Sequence, residues 1–194
     1  MFARKSTTLA LFLALLSCPI LAQALEVSQS PSEAKESSLH LDLEVDPTAF
    51  VFGGYSLHAG IGWQRFRLDL GAFAMDVPEA YHGQKAFEQS FHGFGAKLAY
   101  FLFADQTGGF VGVGAGIARG LYGLKGTELA AQQYDVGIGP HVGWRFDLGA
   151  GFYATPWISL DYSLNPKDVT LGGETFASDR WSVFPAIHLG RRFM

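Results

Sequence analysis

The sequence predicts an all-β chain, an eight-stranded antiparallel up-and-down transmembrane β-barrel, and three observations carry that prediction. The chain opens like an export leader: Arg4 and Lys5 precede an apolar stretch from Thr8 to Leu21, and Ala22 and Ala24 are small residues at the two cleavage positions. Beyond residue 24 no apolar run approaches the ~20 residues of a transmembrane helix. Yet aromatic residues make up 14% of the chain and charged residues only 16%, against roughly 25% charged in ordinary soluble domains. From Leu39 onward, apolar and polar residues alternate with period two in segments separated by turn residues. A membrane chain without a helical span must satisfy its backbone between strands, and only a closed barrel does so.

The leader is read as residues 1–24, with cleavage after Ala24 preferred to a lipoprotein cut before Cys18, because Pro19, Ile20 and Leu21 prolong the apolar run. Residues 25–38, "LEVSQSPSEAKESS", are polar and read as a flexible tail, and 39–194 as the barrel. The one cysteine falls in the leader, so the mature chain has neither a disulfide framework nor a cysteine metal site. Without Arg4 and Lys5, 12 basic residues face 18 acidic ones, a net charge of −6. Nothing in that balance suggests nucleic acid, which would call for a basic face.

The first strand, Leu39 to Val45, sets Leu39, Leu41, Leu43 and Val45 on one face and His40, Asp42 and Glu44 on the other. The second, Tyr55 to Trp63, alternates Tyr55, Leu57 and Ile61 with Ser56, His58, Gly60 and Gly62; the third, Phe66 to Met75, alternates Leu68 and Leu70 with Arg67 and Asp69. The fourth runs from Phe91 to Phe103. The fifth, Phe110 to Arg119, reads "FVGVGAGIAR", with Val111, Val113 and Ile117 on the apolar face and Gly112, Gly114 and Gly116 on the other. These glycines are not a dinucleotide loop, because neither register supplies the third glycine of G-x-G-x-x-G and no helical pattern follows. The sixth, seventh and eighth strands are Tyr134 to Phe146, Phe152 to Tyr162 and Trp181 to Phe193. Pro140, Pro156 and Pro185 fall in these last three. Proline removes a ladder hydrogen bond, so the expectation there is local bulges, or a weakened seam through which a lipid tail enters.

Connections alternate in length. "QR", "ADQTGG" and "DLGAG" are short, whereas 46–54, 76–90, 120–133 and 163–180 are long. The apolar register also places aromatics at both strand ends: Trp63, Phe66, Trp144, Phe146, Phe152 and Phe193 at the short-turn end, Tyr55, Tyr134, Tyr162 and Trp181 at the other. Two aromatic girdles around an aliphatic band are what a lipid-facing wall requires.

With these features the chain resembles small eight-stranded outer-membrane barrels, those like the OmpA transmembrane domain and the opacity-type surface proteins. The features that carry the likeness are the leader, the strand pattern over Leu39 to Phe193, and the last strand "WSVFPAIHLGRRF". That strand is similar to the C-terminal signal read by the barrel assembly machinery, although Met194 follows the terminal aromatic and Arg191 falls on the lipid side. The resemblance implies a bacterial outer-membrane location with both termini periplasmic and four external loops. It also implies contact with outer-membrane lipids and lipopolysaccharide, and names no surface ligand.

The polar register faces the lumen of such a barrel. It holds Asp42, Glu44, Asp69, Asp135 and Asp161 against Arg67, Lys97, Arg145 and Arg192. An unpaired buried ion costs several kcal/mol, so the expectation is a salt-bridged, closed lumen without a pore, in a protein with a structural or surface-interaction role. The alternative is a lipid A-modifying acyltransferase or deacylase, for which Ser56, His58, His141 and His188 are the candidates. Ser56 and His58 share one face of one strand, but their backbones stand about 7 Å apart, and the reading assigns no catalytic residue. No histidine pair shows metal-ligand spacing, and no cofactor motif is present. A further alternative is a soluble, lipocalin-like periplasmic barrel with its apolar face inward.

Overall fold

The computed structural model describes residues 39–193; the predicted leader 1–24, the tail 25–38 and Met194 lie outside them. Eight strands form the barrel: β1 (His40–Val45), β2 (Tyr55–Trp63), β3 (Phe66–Val77), β4 (Phe87–Phe101), β5 (Gly108–Leu124), β6 (Ala130–Gly149), β7 (Phe152–Ser163) and β10 (Trp181–Phe193). They close antiparallel in the order β1-β10-β7-β6-β5-β4-β3-β2. The chain therefore meanders once around the ring, and β1 closes it against β10 through pairs such as Leu43 with Arg191.

Period two sets the polarity of the wall. Along β2, Ser56, His58, Gly60 and Gly62 are buried while Tyr55, Leu57, Ala59, Ile61 and Trp63 are exposed. The same division places Leu68, Leu70, Leu98, Val113, Ile138, Val142 and Leu160 outside, and Asp42, Glu44, Arg67, Asp69 and Arg145 inside, each less than a tenth exposed. A lipocalin-like arrangement needs the reverse. The polarity is that of a transmembrane barrel, in which an apolar wall faces lipid and a polar interior is filled by side chains.

Three departures from the sequence reading occur at the long-loop end. Residues 120–133 are mostly ladder, since β5 and β6 pair as far as Gly123 with Ala130. β4 begins at Phe87 instead of Phe91. The last long connection carries a two-stranded hairpin, β8 (Val169–Leu171) with β9 (Glu174–Phe176). Their common cause is a knot of buried apolar side chains, Phe87, Tyr122, Val169 and Phe176, in which the Phe176 ring lies 4.9 Å from Tyr122 and 5.6 Å from Phe87. The lumen-facing registers of β4 and β5 continue past the aromatic girdle because this knot gives them something to bury against. Two short helices complete that end: α1 (Pro47–Val51) and α2 (Glu79–His82). Asp46 caps α1 by accepting from Thr48 N at 2.9 Å, with Pro47 preorganising the first turn.

The prolines act mainly on one strand pair. β5 pairs continuously through Pro140, and β7 pairs with β10 through both Pro156 and Pro185. Between β6 and β7, however, pairing lapses between Ile138–Tyr162 and His141–Ser159, again between Gly143–Trp157 and Phe146–Ala154, and shifts register at Asp147 to Gly149.

Candidate functional site

The lumen site begins at β1, whose two inward carboxylates are fully or nearly fully buried. Asp42 accepts from Arg67 Nε at 2.9 Å, Arg145 Nη1 at 3.2 Å and Arg192 Nε at 3.3 Å. Glu44 meets Arg67 Nη2 at 3.1 Å, Arg145 Nη2 at 3.2 Å and His188 Nδ1 at 2.8 Å. Asp69 meets Arg67 Nη2 at 3.0 Å, Lys97 Nζ at 3.4 Å and His58 Nδ1 at 2.8 Å. Cation faces are covered too: Lys97 lies over the Trp157 ring and Arg145 over Tyr153. Of the nine charged residues read as a lumen network, seven converge. Asp135 and Asp161 lie apart, accepting from Ser163 and Ser159 respectively.

Glycine makes room for this cluster at two places. A Cβ on Gly60 would stand 2.4 Å from the Arg67 guanidinium, and one on Gly71 2.2 Å from the His58 ring. A planar guanidinium and a flat imidazole thus lie over bare backbone. At mid-height the packing leaves a cavity of about 20 Å³, bordered by Glu44, Lys97, His141, Trp157 and His188 among others. That is room for about one water. His141 stands apart from the carboxylates, its ring near Phe110 and Trp157, and its Nδ1 and Trp157 Nε1 have no hydrogen-bond partner among the described residues.

Ser56 and His58 are brought together, contrary to the expectation that their backbone separation keeps them apart. Ser56 Oγ lies 3.0 Å from His58 Nε2. Side chains lean along a strand, and the imidazole, seated over Gly71, spans the remaining distance. Asp69 accepts only, so His58 Nδ1 carries a proton, and in the neutral imidazole Nε2 is then the nitrogen that accepts from the serine hydroxyl. Asp69 is the member missed in this role: it pairs with Gly60, two residues along from His58, so it sits diagonally across β3 from the imidazole. Its place on the lumen register is the available signal. His188 is a neighbour of this chain, its ring centroid 4.4 Å from that of His58. No group of three His, Cys, Asp or Glu among the described residues has the geometry to hold a metal.

The short-turn end carries a second polar centre that the sequence pattern does not announce. Gln106, in the turn between β4 and β5, is wholly buried. Its Nε2 donates to the carbonyls of Gln64 and Phe66, both at 2.9 Å, while Oε1 faces His40 at 3.1 Å and Arg192 at 3.3 Å. One side chain thus ties two turns to β1 and β10.

The predicted girdle residues all lie on the outer surface at the two ends of the wall: Trp63, Phe66, Trp144, Phe146, Phe152 and Phe193 at one, Tyr55, Tyr134, Tyr162 and Trp181 at the other. Nine are at least 39% exposed. Tyr162 is partly covered by Trp181, whose ring lies 4.8 Å away. Tyr134 lies four residues inside the start of β6, so the β5–β6 hairpin projects beyond that girdle. Arg191, the charge on the lipid-side register, stacks between Phe152 and Phe193 at 5.0 and 5.3 Å.

Fold and site together define a small transmembrane β-barrel with a polar, side-chain-filled interior. Among solved structures it is similar to the neisserial surface protein A, at 14% identity over 79% of this chain and 94% of that one, with a TM-score of 0.46. It is also similar to the N-terminal barrel of OprF from Pseudomonas aeruginosa, at 13% identity over 80% and 96%, TM-score 0.43. A major outer membrane protein from Thermus thermophilus aligns at 12% identity over 80% and 100%, TM-score 0.49. No protein-family model and no curated protein sequence matches the chain.

Proposed function

We propose that the chain is an integral protein of the bacterial outer membrane, with both termini periplasmic, its four long connections external and a lumen closed to solutes. Its role in this reading is structural or in surface interaction. The observation that carries it is the inverted polarity of the barrel: exposed Leu, Ile, Val and aromatic side chains around the wall, and a fully paired carboxylate such as Asp42 at the centre. Water would reward neither arrangement, whereas hydrocarbon outside and compensated charge inside reward both. The girdles contact outer-membrane lipids and lipopolysaccharide, the last strand is presented to the barrel assembly machinery, and the projecting β5–β6 hairpin, on which Leu121 and Leu129 are exposed, offers the surface on which a partner docks. Fractionation combined with heat-modifiability on gels tests the reading. The expected result is an outer-membrane protein whose unheated form migrates apart from the boiled one; recovery as a soluble periplasmic protein overturns it. In planar bilayers the folded protein is expected to give no steady conductance.

A further inference from the structure

We infer that Ser56, His58 and Asp69 form a nucleophilic site for carboxylic esters. The hydrogen-bond chain has the order that acyl transfer requires: serine Oγ to imidazole Nε2 at 3.0 Å, imidazole Nδ1 to a buried carboxylate at 2.8 Å. Each member is held on a strand, with Ser56, His58 and Asp69 all less than a tenth exposed, and Asp69 is fixed in turn by Arg67 and Lys97. A hydroxyl that served packing alone would need neither an imidazole free to accept its proton nor a carboxylate behind that imidazole.

The placement selects the substrate. Ser56 is the second residue of β2, at the long-loop end, beneath α1, which packs against the ends of β2, β3 and β10. Around that rim Tyr55, Phe50, Val51 and Phe52 expose apolar surface. An ester whose acyl chain lies along this rim presents its carbonyl to the mouth, and α1 is the element that shifts to admit it. A glycerophospholipid and an acylated saccharide lipid share that chemistry.

His58 Nε2 takes the hydroxyl proton as Oγ attacks the carbonyl carbon. The tetrahedral intermediate collapses with cleavage of the ester C–O bond, and the imidazolium returns the proton to the leaving alkoxide, which departs as the alcohol. Water then attacks the acyl-serine with His58 again as base, releasing the carboxylic acid and restoring Ser56. Asp69 holds the imidazole tautomer and balances its transient charge.

The test uses the full barrel folded in detergent, with an alkyl fluorophosphonate as probe and short- and long-chain p-nitrophenyl esters as substrates. The heat shift on gels reports folding separately, so failure of the site and failure of the barrel are distinguishable. Expected are a phosphonyl adduct mapped to Ser56 by peptide mass spectrometry, loss of labelling in Ser56→Ala, and ester turnover lowered about 10²-fold or more in His58→Gln. His141→Gln is expected to retain labelling. A folded wild-type protein that takes no label at any chain length, or whose adduct maps elsewhere, overturns the inference. Mapping on the wild type decides even if a variant fails to fold. Mass spectra of phospholipids and of saccharide lipids after incubation then show which ester source is cut.

Discussion

Asp42→Asn is the sharpest test of the lumen network. Asp42 is 0% exposed and faces three guanidinium groups, those of Arg67, Arg145 and Arg192. The converging cluster holds four bases, Arg67, Lys97, Arg145 and Arg192, and three acids, Asp42, Glu44 and Asp69. Replacing Asp42 by its amide keeps the volume, so no cavity opens, but the excess of positive charge rises from one to two. The amide NH2 also turns a donor toward donors. Removing one partner of a buried ion pair costs about 3–5 kcal/mol, which at about 1.4 kcal/mol per tenfold is two to nearly four orders of magnitude in the unfolding equilibrium. Urea titration of the protein folded in lipid vesicles, followed by the fluorescence of its four tryptophans, reads this directly. A loss of under about 1 kcal/mol, the range of exposed pairs, would refute the claim that the network is a closed, mutually compensating unit.

Gly71→Ala forces a methyl to 2.2 Å from the His58 ring, whereas Gly137→Ala meets nothing nearer than 3.9 Å. The first is expected to lose about 1–3 kcal/mol in the same titration and the second to be neutral or slightly stabilising; equal effects would contradict the packing described. Gln106→Ala removes the wholly buried amide that the Gln64 and Phe66 carbonyls, His40 and Arg192 share and is expected to cost about 1–3 kcal/mol, with faster hydrogen exchange around 64–66 and 192. Unchanged exchange there would mean that the side chain ties nothing down. At the long-loop end, the hydrogen bond from Lys125 Nζ at 2.8 Å holds the Glu79 carboxyl below its ordinary value. A depressed folded value contributes stability above the unfolded value that is lost as pH falls through the folded one. Lys125→Met is expected to raise the Glu79 titration toward ordinary glutamate, read by carbon NMR, and an unmoved titration would refute the pairing.

Period-two alternation and glycine or aromatic punctuation make the barrel legible, because a wall with lipid on one side and charge on the other writes its face into every strand. Three kinds of feature are harder to see. The extensions of β4, β5 and β6 depend on Phe87, Tyr122, Val169 and Phe176 meeting from four separate segments, and no local pattern reports such a meeting. Gln106 has a positive φ of 57° and a polar side chain, so it reads as an ordinary turn residue until the other turn is seen to lie against it. Backbone spacing argues against the Ser56–His58 contact. What spacing omits is the imidazole's lean along β2 and the absent side chain at Gly71, a residue on a different strand.

The central claim, an apolar wall in lipid around a charge-filled lumen, is tested most directly by nitroxide accessibility in bilayers. Single cysteines introduced at Leu57, Leu70, Val113, Ile138 and Leu160, all exposed on the outer wall, would carry the label, with Gly83 in the connection after α2 as the aqueous reference. The account predicts high oxygen and low nickel-chelate collision at the five wall positions, and the reverse at Gly83. Nickel-chelate access at the wall equal to that at Gly83 would contradict it.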